Sequence, residues 1–221
     1  MGASGYTGDV EVGGPADVRE LPGLTISKLA VSEMANNVYL LRDQDSGEAL
    51  LVDAAAEPDA VLALVDGADL RTVVTTHGHW DHHRALPQVV EATGAVTVAH
   101  PADAGDLPVP VRRPVEHGDT VTVGGQALEV VHLRGHTPGS IALVWRGPEG
   151  AGTHVFTGDS LFPGGPGRTT SPEDFTSLMD DLEARIFGRF DDSTWFYPGH
   201  GNDSTLGAER PHLGEWRARG W

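Results

Sequence analysis

Apolar residues along the chain fall into two rhythms. Short apolar runs mark strands at LTISKLAV (24–31), NNVYLLRD (36–43) and EALLVDAA (48–55), the last ending in an acidic-plus-small turn. In EPDAVLALVDGADL the residues Ala60, Leu62, Leu64 and Val65 predict a short helix that stops at Gly67. The β-branched run of TVVTTH (72–77) predicts a strand buried on both faces. A helical pattern then runs from Asp81 to Thr93 and ends at Gly94, and AVTVAH (95–100) follows as a strand. ADAGDLPVPVRRP is loop-like, with prolines at 108, 110 and 114.

The second half carries strands at TVTV (120–123), QALEVVHL (126–133), SIALVW (140–145), THVFTG (153–158) and TWFYP (194–198). A long helix is predicted from Pro172 to Phe190, with Ser171 as N-cap, Pro172 in the first turn and Glu173 and Asp174 complementing the helix dipole. Strands alternate with helices in both halves, so the fold class is α/β, with several helices covering sheet faces. Residues 1–20 are Gly-rich, acidic and aperiodic and read as a flexible N-terminal arm, leaving 21–221 as a single folded domain.

Composition narrows the function. Fifteen basic residues against 32 acidic ones give a formal charge of −17, which repels phosphate backbones and anionic headgroups. Neither nucleic acid nor a membrane surface is therefore an expected partner; a small-molecule substrate is. The absence of cysteine excludes disulfides, thiolate metal sites and a Cys nucleophile together. No apolar run reaches the ~20 residues of a membrane span, and no secretory signal pattern is visible, so a cytoplasmic location is expected.

The candidate chemistry lies in the 11 histidines. Residues 75–83 read Thr-Thr-His-Gly-His-Trp-Asp-His-His, directly after a buried strand, where α/β sheets place their sites. A capped, solvated helix start would account for one or two of these residues. Four potential ligands within six residues instead suggest a tight turn that aims His77 and His79 at one metal and Asp81 and His82 at another. Imidazole and carboxylate suit zinc, iron or manganese, and the lack of thiolates favours a catalytic site. His136 (Gly-His-Thr-Pro-Gly-Ser), Asp159 (Thr-Gly-Asp-Ser-Leu-Phe) and His200 (Pro-Gly-His-Gly) each follow a predicted strand. Together these residues offer five imidazoles and two carboxylates, enough for two ions.

His77-x-His79-x-Asp81-His82 with His136, Asp159 and His200 resembles the metallo-β-lactamase superfamily over almost all the chain after residue 20. The resemblance implies an αββα sandwich with the site at one edge of the two sheets. The flanking sequences are most similar to the glyoxalase II-like branch. By position, His77, His79 and His136 would hold the first metal, Asp81, His82 and His200 the second, and Asp159 would bridge. Antibiotic-hydrolysing relatives generally lack that bridging Asp, which argues against β-lactamase activity. The implied function is hydrolysis of a thioester or related acyl ester by a hydroxide bridging two divalent ions, most simply zinc, with Asp81 orienting the nucleophile. Arg168, on the loop Gly-Gly-Pro-Gly-Arg-Thr, stands where relatives place a basic residue that can meet a substrate carboxylate. Glyoxalase II also has a C-terminal helical region that helps bind glutathione. Here about twenty residues follow His200, and its cationic residues have no obvious counterpart.

Two other activities fit the same motif. Persulfide dioxygenases use one iron held by two His and one Asp, here His77, His136 and Asp159, and Gly167-Arg168-Thr169 resembles their Gly-Arg-Thr; His200 in Pro-Gly-His-Gly argues for a second metal instead. A lactonase is the third reading. His83 reads as a helix-surface residue or a support to the ligands. His100, His117, His132, His154 and His212 read as structural, and Trp195, Phe196 and Tyr197 as core strand.

Overall fold

Alternation along each strand decides which layer a side chain joins. In β2 (Leu24–Val31) Leu24 and Ile26 face one way and Leu29 and Val31 the other. β3 (Asn36–Asp43) splits Tyr39 and Leu41 from Val38 and Leu40, and β4 (Glu48–Val52) splits Leu50 and Val52 from Ala49 and Leu51. The computed structural model, which describes residues 5–220, resolves these faces into four layers.

One sheet has the order β1-β2-β3-β4-β5-β6-β7, adding β1 (Asp17–Leu21), β5 (Asp69–Val74), β6 (Val96–Ala99) and β7 (Arg113–Pro114). The other joins β8 (Thr120–Val123), β9 (Gln126–His132), β10 (Ile141–Arg146) and β11 (Thr153–Gly158) to β14 (Trp195–Pro198) and β15 (Ser204–Thr205). Between β11 and β14 lie the hairpin β12 (Leu161–Phe162) and β13 (Gly165–Pro166) and helix α3 (Pro172–Leu182). Leu24, Ile26, Leu41 and Leu50 meet Leu128, Leu143, Trp145 and Phe156 in the core between the sheets. Helices α1 (Pro58–Val65) and α2 (Leu86–Thr93) cover the outer face of the first sheet. On the second sheet α3 and, after the short α4 (Leu206–Glu209), α5 (Leu213–Arg219) do the same through Leu178, Leu182 and Trp216. This is the expected αββα sandwich. Among the described residues no helix is long and apolar enough to cross a membrane.

Three expectations need correction. The segment 81–93 is not one helix: a 3₁₀ turn at Trp80–His82 precedes α2, which starts at Leu86 with Pro87 in its first turn, where the missing N–H costs nothing. The predicted helix 172–190 keeps its Ser171 cap, which accepts from the Asp174 N–H at 3.1 Å, but widens into a π turn over Glu183–Phe187. The third concerns the arm.

Residues 1–4 lie outside the described part, and beyond them the segment read as an arm is docked. β1 pairs with β2 over five residues. Asp17 accepts from the N–H groups of Thr7 and Gly8, both at 2.9 Å, and Tyr6 donates to Asp203 at 2.5 Å. The anchor is Lys28, the chain's one lysine, which shares the inter-sheet face of β2 with Leu24 and Ile26 and is fully buried. Its ammonium uses all three protons, on Gly8 O (2.6 Å), Gly201 O (2.8 Å) and Asp203 Oδ1 (2.7 Å). Aperiodic sequence concealed this docking because backbone and buried charge hold the segment, not an apolar stripe.

Asp203→Ala would leave that ammonium buried without a counter-charge, at a cost of about 3–5 kcal/mol. Urea unfolding should show the loss; a change below about 1 kcal/mol, the range of exposed ion pairs, would mean that water reaches Lys28.

Candidate metal centre

The seven candidate ligands arrive on four stretches of chain, each after a strand. His77 and His79 follow β5, Asp81 and His82 sit in the 3₁₀ turn, His136 links β9 to β10, Asp159 follows β11, and His200 follows β14. Three sets of side chains bring their ligand atoms within 4.8 Å of one another, and one of them, His77, His82 and Asp159, straddles the two sets expected from the sequence. Ligand atoms of His77, His79 and His136 form one group within 4.8 Å, and those of Asp81, His82 and His200 form another. Asp159 stands between them: its carboxylate oxygens lie 3.4 Å from His82 Nε2, 3.4 Å from His200 Nε2 and 3.7 Å from His136 Nε2. The approach is close because the adjoining residue is Gly199; a Cβ there would run into the Asp159 carboxylate and the His82 ring.

The ring tautomers follow from the partners. His82 Nδ1 donates to Asp53 Oδ2 (2.9 Å), His200 Nδ1 to the Met34 carbonyl (2.8 Å) and His136 Nδ1 to the Arg168 carbonyl (2.7 Å). His77 Nδ1 lies 3.1 Å from Thr76 Oγ1, whose own proton goes to Asp53 Oδ2. Carbonyls and carboxylates only accept, so in the neutral rings Nε2 carries a lone pair. His82 Nε2 and His200 Nε2 then face each other lone pair to lone pair at 3.2 Å. His77 Nε2, His136 Nε2 and Asp159 Oδ1 are buried with no hydrogen-bond partner.

A cation resolves this arrangement. Two ligand atoms ~2.0–2.2 Å from a tetrahedral ion stand roughly 3.3–3.6 Å apart, which matches the 3.2–3.7 Å spacings around Asp159, His82 and His200. Titration points the same way. Burial works to lower the His82 imidazole, but hydrogen bonds and charge from Asp159 and Asp53 outweigh it and raise the ring to about 10. His200 is raised against its own burial by Asp159. Asp159, despite burial, is held far below the usual carboxylate range by His200 and His82, whereas burial lowers His77 and His136. The carboxylates draw positive charge into the cluster, so a divalent ion would displace protons on binding.

Other residues behave differently from the sequence reading. His83 is buried, not on a helix surface, with Nε2 donating to the Gly78 carbonyl at 3.2 Å. Arg168 touches the cluster through its carbonyl, while its side chain is exposed. Phe196 and Tyr197 are core strand residues as expected.

Three supporting residues escaped the sequence reading. Asp53 accepts from Thr76 N–H and Oγ1 as well as His82. Asn36 Nδ2 donates to Asp81 Oδ2 at 2.9 Å. Asp103, buried in the predicted loop 102–114, clamps two ligand loops together. It accepts from Gly78 N (2.8 Å) beside His77 and His79, and from Thr137 Oγ1 (2.5 Å) and Gly139 N (2.7 Å) beside His136. Asp53 carried a signal, being an acid at the end of an apolar strand; Asp103 carried none.

Residues 31–200 match the family described as the metallo-beta-lactamase superfamily. The chain belongs to it. The superfamily binds metal ions, and the His/Asp cluster fits such a site. Similarity extends to a hydroxyacylglutathione hydrolase of Jannaschia sp., 38% identical over 74% of this chain and 59% of that protein. Among solved structures, ETHE1 from Myxococcus xanthus superposes with a TM-score of 0.76 at 31% identity, covering 87% of this chain and 84% of that one. TTHA1623 in a di-iron-bound form gives 0.69 at 32% identity, covering 83% and 96%.

For this superfamily member, Asp103→Ala should weaken metal binding roughly ten- to a hundredfold, the usual cost of losing a group that orients ligands. Chelator competition measures this; unchanged affinity would show that the loops hold their geometry without the clamp.

Proposed function

We propose that the protein hydrolyses a small-molecule thioester or related acyl ester, with His77, His79 and His136 holding one divalent ion, Asp81, His82 and His200 a second, and Asp159 shared between them. The observation that carries this reading is the position of Asp159, within 3.4–3.7 Å of ring nitrogens in both groups. The similarity to hydroxyacylglutathione hydrolases supports the substrate class. Imidazole and carboxylate donors suit zinc, with iron or manganese also compatible.

Bound divalent ions would supply Lewis-acid polarisation of the carbonyl and lower the pKa of water toward ~7. The chain's own part is orientation. Asn36 donates to Asp81 Oδ2 and so fixes the orientation of the carboxylate that would hold the second ion and orient the attacking water. Asp53 and Met34 hold the His82 and His200 rings with their lone pairs inward. No side-chain nucleophile is required.

A second reading, persulfide dioxygenation with one iron on His77, His136 and Asp159, draws on Gly167-Arg168-Thr169, whose Arg168 carbonyl takes the His136 proton. The likeness to ETHE1 from Myxococcus xanthus fits it.

Elemental analysis combined with an oxygen electrode separates the two. Two divalent ions per chain and hydrolysis of S-lactoylglutathione without oxygen uptake are expected. One iron, oxygen uptake with glutathione persulfide and inertness toward thioesters would overturn the hydrolase reading. Asp159→Ala should lower metal content and cut the rate by at least the roughly 100-fold typical of losing a ligand's outer partner; normal stoichiometry and rate would show that Asp159 is not shared.

A further inference from the structure

His200 sits on a stretch of chain with little of its own to hold it. It stands between Gly199 and Gly201, the latter at a left-handed φ of 68°, and none of residues 199–203 joins the apolar core. Hydrogen bonds to the carbonyls fix the loop instead. At its entry, Asn37 Nδ2 and Tyr39 OH donate to Pro198 O, and the Asn37 N–H donates to Gly199 O at 2.7 Å. At its exit, Gly201 O accepts from Asn37 Nδ2 (2.9 Å) and Lys28 Nζ (2.8 Å), while Asp203 accepts from Lys28 Nζ (2.7 Å) and Tyr6 OH (2.5 Å). Three of these four exit bonds come from Lys28 and Tyr6.

The place of Lys28 depends in turn on the N-terminal segment, because its remaining proton goes to Gly8 O at 2.6 Å. Gly8 has a φ of 72°, and a Cβ there would run into the Asp203 carboxylate, so the segment approaches as only glycine allows. Tyr6 also packs its ring against Trp195 and Tyr197 of β14, the strand that leads into the His200 loop. The Lys28 and Asp203 side chains are both fully buried. Apolar residues of similar volume could replace such a pair at little or no cost in stability. What they could not do is reach Gly8 O, Gly201 O and a carboxylate at once.

The other ligands are secured elsewhere. Asp53 serves His82 directly and His77 through Thr76, and Asp103 clamps the chain beside His77, His79 and His136. A disturbance at Lys28 therefore reaches His200 and leaves the group of His77, His79 and His136 in place.

We propose that Lys28, together with Tyr6 and Gly8, is a positioning device for His200, so that retention of the second ion depends on the docked N-terminal segment while the first ion binds without it. The inference rests on the two-ion reading above.

Zinc titration in competition with a chromophoric chelator tests it by giving a separate dissociation constant for each ion. Lys28→Met/Asp203→Leu exchanges the buried pair for apolar groups of similar size, and Tyr6→Phe removes only the hydrogen bond to Asp203. The double variant should bind the second zinc ion about tenfold or more weakly, the usual cost of losing a group that orients a ligand. Tyr6→Phe should weaken it about threefold or more, the worth of one hydrogen bond. The first constant should stay as it was in both variants. The ratio of the two constants is the decisive quantity, since a merely structural loss would weaken both ions alike. Equal weakening of both ions, or unchanged binding of both by the folded double variant, would overturn the positioning role and leave the two-ion reading standing. Should the double variant fail to fold, the ratio measured on Tyr6→Phe decides. A single zinc ion per chain in the unmodified protein would overturn the two-ion reading and this inference with it.

Discussion

The Nδ1 protons of His77, His82, His136 and His200 are each drawn outward by an oxygen of the surrounding protein, and the candidate metal centre depends on that arrangement. Turning the protons out turns the lone pairs in, toward two carboxylates. The result is a concentration of electron-rich atoms, three of which, His77 Nε2, His136 Nε2 and Asp159 Oδ1, are buried with no hydrogen-bond partner. Such a cluster is unfavourable on its own account. It persists because the oxygens that fix the rings belong to the sheets and their connections, which are held by the core.

Support is distributed across both sheets. Asp53, at the end of β4, serves His82 directly and His77 through Thr76. Asp103, on the loop between β6 and β7, ties the His77 loop to the His136 loop of the other sheet. The His200 loop is fastened to the first sheet, where Asn37 and Tyr39 donate to the Pro198 carbonyl at 2.9 and 2.6 Å and Lys28 donates to that of Gly201. The two sheets are therefore joined at this edge by polar contacts as well as by the apolar core behind it.

What could be read in advance follows from this division. The α/β layering was legible because burial on both faces of each sheet leaves short continuous apolar runs, as in β3, β4 and β10. The convergence of these side chains was legible because His77 to His82 are crowded into a few residues and because His136, Asp159 and His200 each follow a strand. Asp103, Asn36 and Lys28 were not, since each acts through a partner distant in the chain and sits in a locally unremarkable context. The docking of residues 6–21 was hidden for the same reason: Tyr6 meets Asp203 across 197 positions, which no local pattern encodes.

The order of the ligands along the chain has a consequence during synthesis. His77 and His200 are separated by 123 positions, an interval of roughly 6–25 s at ~5–20 residues per second. Through that interval the nascent protein carries His77, His79, Asp81 and His82 without His200, gaining His136 and then Asp159 on the way. A divalent ion captured early would be held by a partial, exchangeable set of ligands. Closure awaits β14 and the loop carrying Asp203, which brings Lys28 and Tyr6 from the first part of the chain to rest. The loop after β14, the last of the candidate ligand loops in chain order, is thus also the one that holds Tyr6 and Lys28.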